Sequence, residues 1–180
     1  MLPRPIYPDS DLLDVSREHL LYEFRMFFWV AANMPKRKGF KLSASLESFA
    51  IHLRNLTDFF YTPAQRPDDI VASDFYEPPN VWAPGAISST LDTARERANK
   101  EISHITFKRK TGMALDKPWD VSALSGEIKT LAQKFAVGAS SKKLDQNVIA
   151  LLNASPLAMA KLLVGASNAL TKGVRQSNRG

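Results

Sequence analysis

Apolar residues return at helical spacing along most of the first 135 residues. The first such segment starts at Ser16, a predicted N-cap, and ends at Pro35 and the basic run that follows it. Its apolar positions are not confined to one stripe, because further apolar residues fill the remaining faces, at Tyr22, Met26, Trp29 and Val30. A helix that is apolar on nearly all sides is typical of the middle of a bundle or of a contact with a partner chain.

Three further segments show the same periodicity. The pattern predicts a second helix over about 43–61, a third over about 88–108, and a fourth that follows an N-cap at Asp120 and continues to about Phe135. Residues 62–86 hold five of the eleven prolines, which predicts an irregular connection with one short helical turn inside it. No alternating pattern is long enough for a strand. The sequence therefore predicts an all-α fold built as a four-helix-type bundle.

The end of the chain differs in composition from the bundle. Residues 142–153 and 156–170 are rich in small residues and only loosely periodic, and they predict one or two additional C-terminal helices. We therefore divide the chain into a helical bundle domain, residues 1–140, and a basic C-terminal helical extension, residues 141–180, with a disordered end. Six basic residues and one acidic residue follow residue 140, so five of the six net positive charges belong to this extension. A basic tail adds weak, salt-sensitive attraction to RNA or to an anionic membrane.

The composition excludes several kinds of chemistry. The chain of 180 residues has no cysteine, which rules out disulfides, thiolate metal sites and cysteine nucleophiles and is typical of a reducing cytoplasm.

The first 13 residues contain three prolines and no apolar run, so we expect no signal peptide. The sequence contains no stretch of about 18 uninterrupted apolar residues, so we predict no transmembrane segment. We expect a cytoplasmic protein.

The three histidines do not predict a metal site. His19, His52 and His104 lie on three different predicted helices, and their spacing does not indicate that they converge. Glu101 and His104 match the Glu-x-x-His pair of di-iron bundles, but that chemistry needs a second pair, which the sequence lacks. We therefore predict no metal and no cofactor.

A polar face of the third helix carries the main candidate chemistry. At about 100° per residue, Arg97, Glu101, His104 and Lys108 fall within roughly 60° of one another. An arginine offers a fixed fork of donors to phosphate oxygens, and a histidine exchanges protons near neutral pH. Such a pair suits metal-free cleavage of RNA, with the imidazole assisting attack by the 2′-hydroxyl or protonating the leaving oxygen. The structural alternative is an ordinary i,i+4 ion pair of Arg97 with Glu101, with His104 as a half-buried histidine of the bundle.

The segment Arg97-Ala-Asn-Lys-Glu-Ile-Ser-His104 resembles the R-x(4–6)-H motif of HEPN proteins. The resemblance covers about residues 12–136 and implies an all-helical domain with metal-independent ribonuclease activity. It further implies a homodimer that brings two copies of the motif into one cleft. Arg97 and His104 are then the catalytic residues. The sequence departs from the family where the position after the motif arginine is often polar, because here it is Ala98, with Asn99 one residue later.

Other residues provide possible support for this pair. If the second and third helices pack side by side, Arg54 or Asn55 reaches the groove of Arg97 and His104. Glu101 and Asn99 of the third helix are the other candidate supporting residues. Arg54 has a structural alternative, an ion pair with Asp58 or Glu47 on its own helix. Residues 46–55 and 98–109 also resemble segments of uncharacterised bacterial helical proteins, a likeness that indicates a bacterial origin and no activity.

Two hypotheses from other classes stay open. The chain is alternatively a non-catalytic interaction module that binds a partner protein through its aromatic first helix or its C-terminal helices. A third hypothesis places residues 144–172 on a membrane surface, with lipid-facing leucines at Leu151, Leu152, Leu157, Leu162 and Leu163.

Overall fold

In a computed structural model, residues 4–102, 119–155 and 157–163 are described. Regular structure in these ranges is helical throughout, with no strand, which confirms the predicted all-α class. The α-helices are α1 (Asp9–Val15), α2 (Leu21–Asn33), α3 (Phe40–Tyr61), α4 (Ser89–Arg97), α5 (Val121–Gly138) and α6 (Gln146–Asn153). A further helical stretch covers residues 157–163. None of the described helices is both long and apolar enough to cross a membrane.

The first helix starts earlier than the sequence pattern predicts. α1 begins at Asp9, and a π-helical turn, Ser16–Leu20, joins it to α2. Ser16 is therefore not an N-cap. Its buried hydroxyl donates to the carbonyl of Leu13 at 2.8 Å and accepts from the backbone N–H of Asp145 at 2.8 Å, so it ties the first helix to the start of α6.

The aromatic residues of α2 are buried within the chain itself. Phe24, Phe27 and Phe28 face the core, where the ring of Phe27 stacks on that of Phe49 from α3 with 5.1 Å between centroids. An apolar surface on nearly all sides of this helix is typical either of a bundle interior or of a contact with a partner chain, and most of that surface is covered by α3 and its neighbours.

The connection between α3 and α4 is irregular, as the prolines predict, and it contains a single 3-10 turn at Ala72–Phe75. This connection closes one end of the bundle with aromatic rings. Phe75 is buried, and the indole of Trp82 donates to the carbonyl of Phe60 at 2.8 Å. Both rings pack against Phe135 of α5.

The described residues after 140 share the core of the bundle. The fully or nearly fully buried side chains of this segment are Leu144, Val148, Leu151 and Leu152, and Met159 and Leu163 are also buried. Of the five leucines that the membrane hypothesis places against lipid, three are therefore buried in protein, and only Leu157 and Leu162 are exposed. That hypothesis is wrong for Leu151, Leu152 and Leu163.

Asp145 holds the start of α6 in place. Its carboxylate accepts from the backbone N–H of Asn147 at 2.8 Å and from the guanidinium of Arg17 at 3.1 Å. Burial of the carboxylate opposes its ionisation, but these hydrogen bonds and the Arg17 charge outweigh that effect and lower the pKa of Asp145. The π-helical turn between α1 and α2 and the start of α6 are thus joined by an ion pair as well as by the Ser16 hydrogen bond.

Candidate functional site

Arg97 is the last residue of α4, and its side chain is half-buried. Its guanidinium carbon lies over the ring of Trp119, 4.4 Å from the centroid. A cation at this distance is attracted by the electron-rich face of an indole, and the planar guanidinium stacks on it. This contact restricts the direction in which the donor fork of Arg97 points.

Trp119 owes its position to the start of α5. Asp120 caps this helix as predicted, since its carboxylate accepts from the backbone N–H of Ala123 at 2.9 Å. Trp119 directly precedes the cap, where an apolar residue commonly packs back onto the first turns of a helix. Its ring also meets Phe49 of α3 edge-on, with 6.4 Å between centroids. Trp119 therefore links α3 and α5 to Arg97.

Trp119 was not among the residues predicted for the site. The available signal was a large aromatic residue immediately before a recognisable N-cap. That signal predicts a packed side chain, but it does not identify the arginine that the ring contacts.

Arg97 lines two neighbouring surface clefts. One, of about 310 Å³, lies between α4 and the start of α5, and its remaining lining includes Thr90, Thr93 and Asp120. The other, of about 330 Å³, runs along α4 past Glu96 and Lys100. Hydroxyl groups and positive charge therefore border the Arg97 guanidinium. Carboxylates border it as well, and they restrict where an anion can bind.

A π-helical turn, Ala98–Ile102, directly follows Arg97. The predicted α-helix to residue 108 is thus interrupted within the described chain, and the angle of 100° per residue does not apply across the turn. The structure describes only the backbone of Glu101. His104 and Lys108 lie outside the described residues. π-Helical turns are frequent at functional sites, where they change the direction of the side chains that follow.

α3 packs beside the chain segment that contains Arg97, which is the arrangement on which the supporting role of Arg54 depends. The guanidinium of Arg54 donates to the side-chain carbonyl of Asn99 at 3.3 Å, and to that of Asn55 at 3.3 Å. Arg54 and Asn55 belong to α3, and Asn99 belongs to the π-helical turn after Arg97. Among the described residues, Arg54 does not form the alternative ion pair with Asp58 or Glu47. Asp58 instead pairs with Arg95 of α4 at 3.3 Å.

This contact extends into a polar network that reaches α2. The amide of Asn55 donates to Glu23 at 3.4 Å, and Nδ1 of the buried His52 lies 2.7 Å from Oε2 of Glu23. Five side chains, from Glu23 to Asn99, therefore connect three helical segments. The network fixes the backbone of the π-helical turn relative to α2 and α3.

Replacing Glu23 with alanine is expected to destabilise the protein by about 1–3 kcal/mol, because His52 would lose its buried partner. Urea denaturation measures the change. Glu18 is an exposed carboxylate on the same continuous helix, and Glu18→Ala is the matched control, expected to stay within about 0.5 kcal/mol of wild type. Equal stability of the two variants would show that the network contributes nothing.

Arg95 belongs to a separate, structural ion-pair group. It bonds Asp58 of α3 at 3.3 Å and Asp92 of its own helix at 3.1 Å. Burial favours the neutral form, but the two carboxylates outweigh it and raise the pKa of Arg95. This guanidinium joins α3 to α4 and is already committed to two carboxylates.

The histidines and acidic residues that the structure describes form no cluster of three or more groups suited to a metal ion. His19 is exposed, and His52 is engaged by Glu23.

No protein-family model, no curated protein and no solved structure matches this chain. The resemblance to HEPN proteins therefore depends on the Arg97–His104 motif and on the helical class of the fold.

Proposed function

We propose that this protein is a HEPN-like, metal-independent endoribonuclease in which Arg97 and His104 act on the phosphodiester. The observation that carries the proposal is the guanidinium of Arg97, held on the indole of Trp119 at the border of two surface clefts. A restrained arginine beside open space suits recognition of a phosphate, because its donor fork needs little further ordering when the ligand binds.

In the proposed reaction the two residues have different tasks. Arg97 donates hydrogen bonds to the non-bridging phosphate oxygens and stabilises the charge that develops there in the transition state. His104 takes the proton of the attacking 2′-hydroxyl or gives one to the leaving 5′-oxygen. Cleavage by the neighbouring hydroxyl leaves a 2′,3′-cyclic phosphate on one product and a free 5′-hydroxyl on the other.

The supporting residues position this pair. Asn99 is held by Arg54, and Arg54 is held by Asn55, so the turn that leads from Arg97 toward His104 is anchored on α3. Glu101 belongs to the same turn. We assign these residues a positioning role and expect their substitution to lower the rate less than loss of Arg97 or His104.

The homodimer and the cytoplasmic location belong to this proposal. The resemblance implies that two copies of the motif share one RNA-binding cleft, so we expect a dimer. Light scattering after size-exclusion chromatography measures the mass directly. A monomer at concentrations where RNA is cleaved would remove the shared-cleft part of the proposal.

Arg97→Ala and His104→Ala are each expected to lower cleavage of single-stranded RNA by about a hundredfold or more, since each removes a group acting in the transition state. The measurement is the initial rate on an end-labelled oligonucleotide in EDTA. Circular dichroism and thermal melting monitor the fold. A matching oligonucleotide with 2′-deoxyribose throughout is expected to stay intact.

Two controls separate the proposed chemistry from general effects of charge. Lys134→Gln removes an exposed cation of α5 that lines neither cleft, and His19→Ala removes an exposed histidine on another helix. Both variants are expected to cleave at nearly the wild-type rate. Arg97→Lys keeps the charge but loses the fork, and we expect a large loss of rate with it. A double variant of Arg97 and His104 that cuts as fast as wild type would overturn the proposal.

The second candidate function is a non-catalytic module that binds a partner protein. Exposed apolar side chains of α2 and α3, at Tyr22 and Ile51, favour it, because such residues are common at protein interfaces. This candidate predicts no cleavage by wild type and loss of captured partners in the double variant Tyr22→Ser with Ile51→Ser. Cleavage that depends on Arg97 would decide against it.

A further inference from the structure

The turn between α2 and α3 combines exposed apolar side chains with a concentration of positive charge. We call residues 36–42 the basic apolar tip. It has the sequence Lys-Arg-Lys-Gly-Phe-Lys-Leu, and six of its seven residues are exposed. Phe40 is 95% exposed, and Leu42 beside it is also exposed. A phenylalanine so completely open to water is unfavourable unless another surface covers it.

The backbone explains why the tip projects. A 3-10 turn at Met34–Lys36 ends the first helix, and Met34 is buried as its last core residue. Gly39 then adopts φ of +56°, a conformation that other residues rarely adopt, and α3 starts at the next position. The chain therefore reverses within a few residues and leaves Phe40 on the outside of the reversal.

The charged residues of the tip and of its flanking segments have one sign. Lys36, Lys38 and Lys41 are exposed, and Arg37 is half-buried. No acidic residue occurs between Glu23 and Glu47. The tip is thus a cationic knob with an apolar apex, and a complementary surface must be anionic and must accept a phenyl ring.

We propose that the basic apolar tip binds the surface of an anionic lipid bilayer, with Phe40 and Leu42 entering the interface and the lysines contacting lipid phosphates. A bilayer surface is broad and deformable, so a protruding segment inserts into it without needing a groove. Cations near the bilayer surface are attracted to the anionic headgroups. Single-stranded nucleic acid is instead bound in a positively charged groove with several stacking aromatic rings. The two clefts that Arg97 lines contain no residue of the tip.

This contact is independent of the proposed nuclease and of the C-terminal leucines. It uses neither Arg97 nor His104, so a double variant of those residues is expected to bind vesicles as wild type does. The two proposals therefore fail or succeed separately.

The test is co-sedimentation of the full chain with phosphatidylcholine vesicles that contain or lack phosphatidylserine. Wild type is expected to bind only the anionic vesicles. Loss of three tip cations in Lys36→Gln with Lys38→Gln and Lys41→Gln is expected to weaken binding about a hundredfold, since each cation near the surface contributes about a fivefold factor. Phe40→Ala is expected to weaken it about tenfold.

Two controls match these variants. The same loss of charge at exposed lysines elsewhere, in Lys134→Gln with Lys142→Gln and Lys161→Gln, is expected to change binding much less. Because the chain has no cysteine, F40C and V137C each carry one polarity-sensitive fluorophore at a single exposed site. Only the label at position 40 is expected to report an apolar environment when vesicles are added.

The results that overturn the proposal are specific. Absence of binding to anionic vesicles overturns it, as does binding that the tip variants leave unchanged. Fluorescence anisotropy with a labelled single-stranded RNA is run beside the vesicles. Tip-dependent binding of that RNA as tight as the vesicle binding, or tighter, would assign the tip to nucleic acid instead.

Discussion

A chain truncated after residue 140 is expected to lose its cooperative fold. Leu144, Val148, Leu151 and Leu152 would leave the core, where each is at most 1% exposed. Burial of such a side chain is worth about 1.5–3 kcal/mol, so their loss removes roughly 6–12 kcal/mol from a protein whose total stability is about 5–15 kcal/mol. The Ser16–Asp145 hydrogen bond and the Arg17–Asp145 ion pair would be lost as well.

Circular dichroism and thermal melting of the fragment 1–140 measure this effect. A fragment that ends at residue 163 is the matched control, because it keeps every described core residue, and we expect it to melt within a few degrees of the full chain. A cooperative transition of the 1–140 fragment near the wild-type temperature would show instead that residues 141–180 are an extension that the bundle does not require.

Replacing Phe135 with alanine is expected to destabilise the protein by about 3–5 kcal/mol. The ring is fully buried in α5 and packs against five aromatic rings, with centroid distances of 5.3–6.1 Å, from Phe59, Phe60, Phe75, Tyr76 and Trp82. These neighbours come from α3 and from the irregular connection, so neither element can close the cavity without moving the other.

Urea denaturation compares this variant with Val137→Ala, which lies two residues further along the same helix and is 86% exposed. The control is expected to change stability by no more than about 0.5 kcal/mol. A loss below about 1 kcal/mol for Phe135→Ala would mean that the aromatic cluster repacks around the missing ring and does not hold the connection in place.

Helices with one clear apolar stripe were predictable from the sequence. The segment 43–61 became α3, and the segment capped by Asp120 became α5, because burial of one face and a good N-cap act through residues close together in the chain. The predicted start of the first helix, at Ser16, was wrong. Ser16 has the side chain of a cap, but its hydroxyl bonds the preceding turn and the distant Asp145, a partner that no local pattern contains.

The candidate site divides in the same way. Local sequence indicated Arg97 and His104 as a pair on a polar face, and it indicated that Arg54 would face the third helix if the two helices packed side by side. The residue that Arg54 contacts there, Asn99, was not predicted. The contact of Arg97 with Trp119 was not predictable, because 21 residues separate the two positions along the chain. The π-helical turn after Arg97 was not predictable either, since helical periodicity assumes a constant angle per residue.

By itself the sequence determined the helical class, the N-cap of α5 and the polar residues that neighbour Arg97, because these depend on the residue types within one or two turns. Only the tertiary structure decided that Leu144, Leu151, Leu152 and Leu163 belong to the core, that Trp119 restrains Arg97 and that Phe40 stays outside. Each of those outcomes depends on which distant surfaces meet, and apolar burial is non-directional, so the residue types alone do not specify the partner.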